Sequence, residues 1–378
     1  MLIGDAGISG CLRYVGRLSK YCAMGSRFGV PHYIWPEQIV QPKRPPLLVY
    51  LDLNHWINLS RANLASPSSN DPYLKLLTSC RAAIDRKVIQ IVIMDVLYIE
   101  IAERIKKPKS RENLARLIEE LTSFASILGR VDIMKIELHA TLNATTGNEI
   151  YLPKLPLLGF GVHHAFQEPL RIEFQGEEQL RFSYERKALE GPQDAEIPSL
   201  RESGYKPELP IAATESRRDW ERTLGPALRN DGMHWRTDGL FNVVKTREMI
   251  HELWNLIACQ TELRKVSVWD LLRSTPDSPT GIIDLMPSSA VAVEIKTRYH
   301  RNLEREWKIN DIRDIDMISV ALPYCDIVFT DNEVRAAVTS TKLDAKMKTY
   351  VPGAPDEFAN YLDALMPEIP DGDNENGK

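Results

Sequence analysis

Long apolar runs are missing. No stretch of about 18 or more residues is continuously apolar, which excludes a simple membrane-spanning helix and sets the expectation of no membrane association. The N-terminal stretch carries Arg13, Arg17 and Lys20 without a continuous apolar core, so a secretory leader is not expected either. Cysteine is sparse. The five residues Cys11, Cys22, Cys80, Cys259 and Cys325 form no CxxC pair and no ligand-like spacing with histidine. That argues against a disulfide scaffold or a zinc site and for a reducing, cytoplasmic setting. An excess of basic residues is lacking too. The net charge is -5, and since a basic stripe can coexist with an acidic site, composition neither requires nor excludes nucleic acid. What is present is 378 residues, 43% hydrophobic and 26% charged, enough to bury a sizeable core in one large or two modest domains.

Along the chain, residues 1–45 mix Gly, Pro and aromatics without a period and read as an N-terminal extension or linker. From Leu47 strand and helix signals alternate, the pattern of a parallel sheet covered by helices. The apolar run Leu47 to Leu51 reads as a buried strand, and Asp71 to Arg86 as a helix with Tyr73, Leu76, Leu77 and Cys80 on one face. Val88 to Met94 predicts a second strand, Asp95 to Glu103 the start of a helix, and Arg111 to Leu128 a further helix. The first α/β part thus spans 46–138. Residues 139–300, rich in Pro, Gly and charge, predict a helical and loop insertion with one strongly periodic helix near Arg247 to Val266. The α/β rhythm returns over 301–366, with a helix from Asn310, a strand at Asp326 to Thr330, a helix at Asn332 to Val338, a short strand at Lys348 to Val351 and a last helix at Pro355 to Leu365. Residues 367–378 are polar and read as a disordered tail.

The chemistry-bearing pattern is a set of acids. Asp52 ends the first strand and Asp331 follows the late one, so both are expected at the C-terminal edge where open α/β sheets carry their sites. Each is also a good helix N-cap, the plainer explanation for either one alone. Glu100 falls in the early turns of the helix after the second strand, on the same edge. Asp311 and Asp314 share a helical face, while Asp316 points elsewhere and reads as a solvated position. Carboxylates brought together repel unless a cation sits among them. Hard oxygen ligands favour Mg²⁺ or Mn²⁺ over zinc, and the matching reaction is phosphodiester hydrolysis. Asn54 could orient a water or phosphate, although Asn there also suits a helix start near Trp56; His55 is a weaker candidate. His163 and His164 have no third ligand at a helpful spacing and read as a loop. Ser60 and Ser319 lack a visible base partner. The basic clusters Arg104 to Arg111 and Arg298 to Lys308 suit phosphate or, more simply, solvated helix faces.

Four segments together resemble the PIN-like nuclease domain: Val49-Tyr50-Leu51-Asp52, the run Ile91 to Glu100, the helix start Asp311 to Leu322, and Val328-Phe329-Thr330-Asp331. In that family an aspartate ends strand one, a glutamate lies on the helix after strand two, a third acid opens a later helix, and a fourth follows a strand ending in Thr-Asp. Carried over, the set is Asp52, Glu100, Asp314 and Asp331, with Asp311 an auxiliary metal ligand and the third acid open among Asp311, Asp314 and Asp316. The resemblance implies a three-layer α/β/α sandwich with a central parallel sheet, interrupted here by the mostly helical insertion. It further implies a Mg²⁺- or Mn²⁺-dependent endoribonuclease acting on RNA, in a setting such as a toxin or phage-defence effector. That setting allows an antitoxin or regulatory protein partner and a homo-oligomer. A DNA-directed nuclease and a catalytically idle PIN-like RNA-binding or assembly module are the alternatives. A phosphatase-like or receiver-like protein is a further rival, but Thr330-Asp331-Asn332-Glu333 offers no lysine for it.

Overall fold

The computed structural model describes residues 33–65, 70–146, 149–167, 176–193, 196–202, 208–230, 239–273 and 280–366. Most of the expected N-terminal extension, and the whole of the expected tail, lie outside these residues. Among the described residues no helix is long and apolar enough to cross a membrane.

After a two-residue strand β1 (Ile39–Val40), the chain enters β2 (Leu47–Leu51), whose last four residues are buried. Asp52 then turns it into α1 (Leu53–Leu64), followed by α2 (Pro72–Asp85), with Asp71 as its cap and Pro72 in the first turn. Next come β3 (Ile89–Val92), α3 (Asp95–Arg104), α4 (Pro108–Thr122), β4 (Ala125–Ile127) and α5 (Arg130–Thr146). The helix expected to run to Leu128 stops at Thr122 instead. Ser123 and Phe124 adopt left-handed backbone angles (φ 48° and 57°), and the chain leaves as a strand. Leu121, Phe124 and Leu128 keep a helical spacing in sequence, so periodicity alone did not mark this break.

Residues 155–300 hold β5 (Leu155–Pro156), β6 (Leu158–Phe160), α6 (Gly161–Phe166), α7 (Glu178–Glu190), α8 (Ile197–Glu202), α9 (Glu208–Asn230) and α10 (Leu240–Glu248). A π-helical turn at Met249–Leu253 joins α10 to α11 (Trp254–Arg264), which α12 (Val268–Arg273), α13 (Gly281–Leu285) and α14 (Pro287–His300) follow. The expected single periodic helix is therefore one of several. Two reasons account for the misses. α9 buries Glu221 beside Leu224 and Leu228, so its inner face is not apolar, and α14 is buried nearly all round, so it shows no stripe. The chain closes with α15 (Ile309–Tyr324), β7 (Ile327–Phe329), α16 (Asn332–Ser340), α17 (Leu343–Met347) and α18 (Pro355–Leu365).

The fold is mixed α/β. Its main sheet runs β3-β2-β7, all parallel, with Val49 opposite Ile91 on one side and Ile327 on the other. Single parallel bridges extend it, Ile93 to Ser126 of β4 beyond β3 and Ile327 to Tyr350 beyond β7. In order of appearance the chain therefore builds outward from β2 through β3 to β4, then returns to the other flank of β2 with β7. The C-terminal ends of β2 and β7 border this reversal, where open parallel sheets leave a crevice.

Side chains alternate along the strands into two cores. Leu48, Tyr50, Val92 and Val328 pack with α5, α14, α15 and α16; Val49, Leu51, Ile91 and Phe329 pack with α1, α2, α4 and α18. Strands buried on both faces read as unbroken apolar runs, which is why β2 and β7 were legible. A third core joins α9, α10 and α11 to Met134, Leu138 and Leu142 of α5. The expected boundary near residue 138 thus falls inside α5. α14, expected within the insertion, packs Val291 and Ile295 into the same core as Ile312 and Ile315 of α15.

Candidate metal centre

β2 and β7 are joined past their ends by the Asp52 amide donating to the Phe329 carbonyl at 3.0 Å, so their following aspartates lie side by side. Both aspartates cap helices. Asp52 Oδ1 accepts from the Asn54 amide at 3.3 Å, and Asp331 Oδ1 accepts from the amides of Glu333 and Val334, each at 2.9 Å. Capping therefore occupies one oxygen and leaves the other for the crevice. Asp52 Oδ2 is buried and accepts no hydrogen bond of normal geometry. The third acid comes from α15, whose Ile312, Ile315, Ile318 and Leu322 face the core. Asp52, Asp314 and Asp331 each present one oxygen, all within 4.8 Å of one another.

Not every predicted acid joins this trio. Glu100 on α3 is buried and its Oε1 accepts from Arg104 Nη1 at 3.1 Å; it lies near enough to feel the charge of Asp52 but is not among the acids whose oxygens meet within 4.8 Å. The same guanidinium donates through Nη2 to Asn54 Oδ1 at 3.1 Å, so Asn54 is engaged by Arg104 and the helix starts at Leu53, not near Trp56. Asp311 is turned away: Oδ2 accepts from the Lys308 amide and Oδ1 from Arg305 Nη2, both at 2.8 Å, the role of a helix-start acid. Asp316 is not the solvated position expected. Arg217 of α9 grips it with two bonds of 2.6 Å, and Arg130 stands at 3.2 Å. Arg217 lies over 90 residues away in sequence, in a helix whose packing no local pattern signals.

Electrostatics mark the trio as unfavourable without a cation. Burial, then the charges of Asp52, Asp331 and Glu100, pushes the Asp314 carboxyl from 3.8 up to about 9. Asp52 is raised by burial and by the Asp331 charge, against the Asn54 amide, the Arg104 charge and the Asp331 amide, which lower it. Glu100 is raised by burial and by Asp52, with Arg104 opposing. A divalent ion among the three would offset the repulsion and stabilise the charged carboxylates, and the buried Asp52 Oδ2, bonded to no side chain, gives it an available ligand. All-oxygen donors with no histidine or cysteine suit Mg²⁺ or Mn²⁺.

The remaining candidates take structural places. His55 stacks on Phe329 with ring centroids 3.5 Å apart and an interplanar angle of 10°, and its Nδ1 lies 2.9 Å from the Tyr73 hydroxyl. His163 and His164 sit in α6 rather than a loop, His164 Nε2 lying 3.0 Å from the Leu157 carbonyl. Ser319 Oγ donates to the Asp316 carbonyl at 2.9 Å. Arg111 donates to four backbone carbonyls, those of Ala102, Ile105, Glu190 and Pro192, which ties α4 to the segment after α7. Arg104, read in sequence as part of a phosphate-binding or solvated cluster, instead pairs with Glu100 and Asn54, and its spacing of four from Glu100 was the available signal for the first of these.

No family model, no curated protein and no solved structure matches this chain. What can be said of its function comes from the site itself.

Proposed function

We propose that the chain is a metal-dependent nuclease with a PIN-like α/β/α sandwich, hydrolysing RNA phosphodiester bonds at the crevice between β2 and β7. One observation carries this reading: three carboxylates from segments far apart in sequence converge at a sheet's topological reversal, with Asp52 Oδ2 buried there and bonded to no side chain. Stability alone does not account for such a cluster, since mutual repulsion and desolvation oppose it. Asp52, Asp314 and Asp331 would hold Mg²⁺ or Mn²⁺, with Glu100 beside them. The ion supplies Lewis acidity toward the phosphate and its attacking water. Asp331 and Asp52 are fixed by their capping bonds, so their free oxygens are oriented before substrate arrives. Asp314, whose carboxyl is raised to about 9, can hold a proton while the site lacks a cation and release it when one binds. No nucleophilic side chain, and so no covalent intermediate, is part of the reading.

The test is cleavage of single-stranded RNA, tRNA and single-stranded DNA by the purified chain with Mg²⁺, Mn²⁺ or EDTA. Cleavage is expected with either metal, none with EDTA, and losses on the order of 10³-fold in Asp52→Asn and Asp331→Asn. Cleavage confined to DNA would correct the substrate. No cleavage, with Mn²⁺ binding equal in wild type and variants, would replace the enzyme reading by an idle scaffold.

A further inference from the structure

The four acids near the crevice have, among the described residues, one ion pair between them, and it belongs to Arg104. The other arginines of the neighbourhood are committed elsewhere: Arg305 to Asp311 and Glu333, Arg313 to Glu103. Arg104 ends α3 one turn beyond Glu100, with its side chain 30% exposed while that of Glu100 is 6% exposed. It is therefore the more solvent-accessible partner of the pair. One prong meets Glu100 and the other Asn54, each at 3.1 Å. A guanidinium so placed occupies Glu100, the acid expected with the trio, and its charge is the one a bound cation would make redundant.

We propose that Arg104 is an exchangeable counter-ion: it neutralises Glu100 while the trio holds no cation, and when a divalent ion binds it yields Glu100 and turns its guanidinium to a non-bridging phosphate oxygen of the substrate. The proposal rests on the nuclease reading above. Three features favour the exchange over a fixed ion pair. The two bonds are single-pronged rather than a bidentate carboxylate fork, so neither is the strongest arrangement open to arginine. Glu100 is buried among like charges and gains more from a divalent ion than from one guanidinium. Arg104 is the partner with solvent access and a flexible stem, so its movement needs no repacking of the core.

Isothermal titration of Mn²⁺ and cleavage of a fluorescent single-stranded RNA separate the outcomes, applied to the full chain, Arg104→Gln, Arg104→Lys and Asp331→Asn, with thermal melts to establish folding. Removing a cation that competes for Glu100 is expected to tighten Mn²⁺ binding on the order of tenfold in Arg104→Gln. Losing a phosphate contact is expected to lower kcat/KM on the order of 10²-fold in the same protein. Arg104→Lys keeps the charge and should bind Mn²⁺ nearly as wild type does while recovering part of the cleavage. Opposite signs of the two effects cannot come from a merely structural role, which would weaken both. Unchanged or weaker Mn²⁺ binding in Arg104→Gln, or cleavage equal to wild type, overturns the proposal. Equal Mn²⁺ binding by wild type and Asp331→Asn overturns the metal centre itself, and the exchange with it, a pattern distinct from a metal centre that binds normally and ignores Arg104.

Discussion

Asp314 shows how much one residue's surroundings decide. In sequence it was the favoured third acid, with Asp311 as an auxiliary and Asp316 expected in solvent; in the fold Asp311 is spent on Arg305 and the Lys308 amide, Asp316 on Arg217, and of the three only Asp314 joins Asp52 and Asp331. Its carboxyl is raised from 3.8 to about 9, so between those values the folded state keeps a proton that the unfolded chain gives up. Stability of the metal-free protein should therefore fall as pH rises through that window, and be restored at low pH. Asp314→Asn removes the penalty. At pH 8, without metal, we expect this variant to be more stable than wild type by about 2 kcal/mol, a figure discounted for the partial exposure of the group. Urea denaturation at pH 5 and pH 8 in EDTA measures it: a wild-type advantage at pH 8 would remove the burial argument. With Mn²⁺ the order at pH 8 should invert, because only wild type gains the ion's binding energy.

Elements that carry the site each serve two purposes. Asp52 and Asp331 end their strands and cap α1 and α16 through one oxygen each, so the capping role seen in the structure leaves room for the proposed ligand role on the other oxygen. This separates function from folding experimentally. Asparagine caps about as well as aspartate, whereas alanine does not. Asp331→Asn should then unfold within about 0.5 kcal/mol of wild type in EDTA, while Asp331→Ala should lose about 1 kcal/mol, both being equally inactive. Chemical denaturation beside the cleavage assay checks this, and similar stabilities for the two variants would show that the cap contributes little. The strands and helices nearest the site were legible because each is decided locally. β2 and β7 are apolar runs closed by Asp, and α2 and α18 begin with Pro in the first turn. β4 was not, because two left-handed residues break a helical spacing that the side chains continue.

At the scale of the whole molecule, a buried ionic lattice ties the 139–300 segment to α5 and α15. Lys296 of α14 lies 2.6 Å from Glu248, 2.9 Å from Glu221 and 3.6 Å from Glu252. Arg130 of α5 reaches Glu248 at 2.7 Å and Glu252 at 3.0 Å, and Arg217 links Glu252 to Asp316 on the helix that bears Asp314. Burial opposes the charge on Lys296, but the three glutamates outweigh it and hold the ammonium above its ordinary value. Lys296→Met would leave those glutamates facing one another, with a loss expected at about 3–5 kcal/mol by equilibrium denaturation. A loss below about 1 kcal/mol would mean that the remaining arginines rebalance the lattice. Charge-rich helices of this kind read as solvated in sequence, since nothing local distinguishes a glutamate facing water from one facing a distant lysine.

By itself the sequence determined the runs that must be strands, the two aspartates at their ends, and the α/β alternation on either side of a long intervening segment, since apolar runs and caps are local properties. Tertiary structure alone decided that Asn54 is held by Arg104, that Asp316 is gripped by Arg217 rather than solvated, and that the intervening segment is anchored through buried charge. Those outcomes depend on pairing across 50 residues or more, from Asn54 to Arg104 and from Arg217 to Asp316. A side chain's partner at that distance is set by packing of whole helices, which no window of sequence contains.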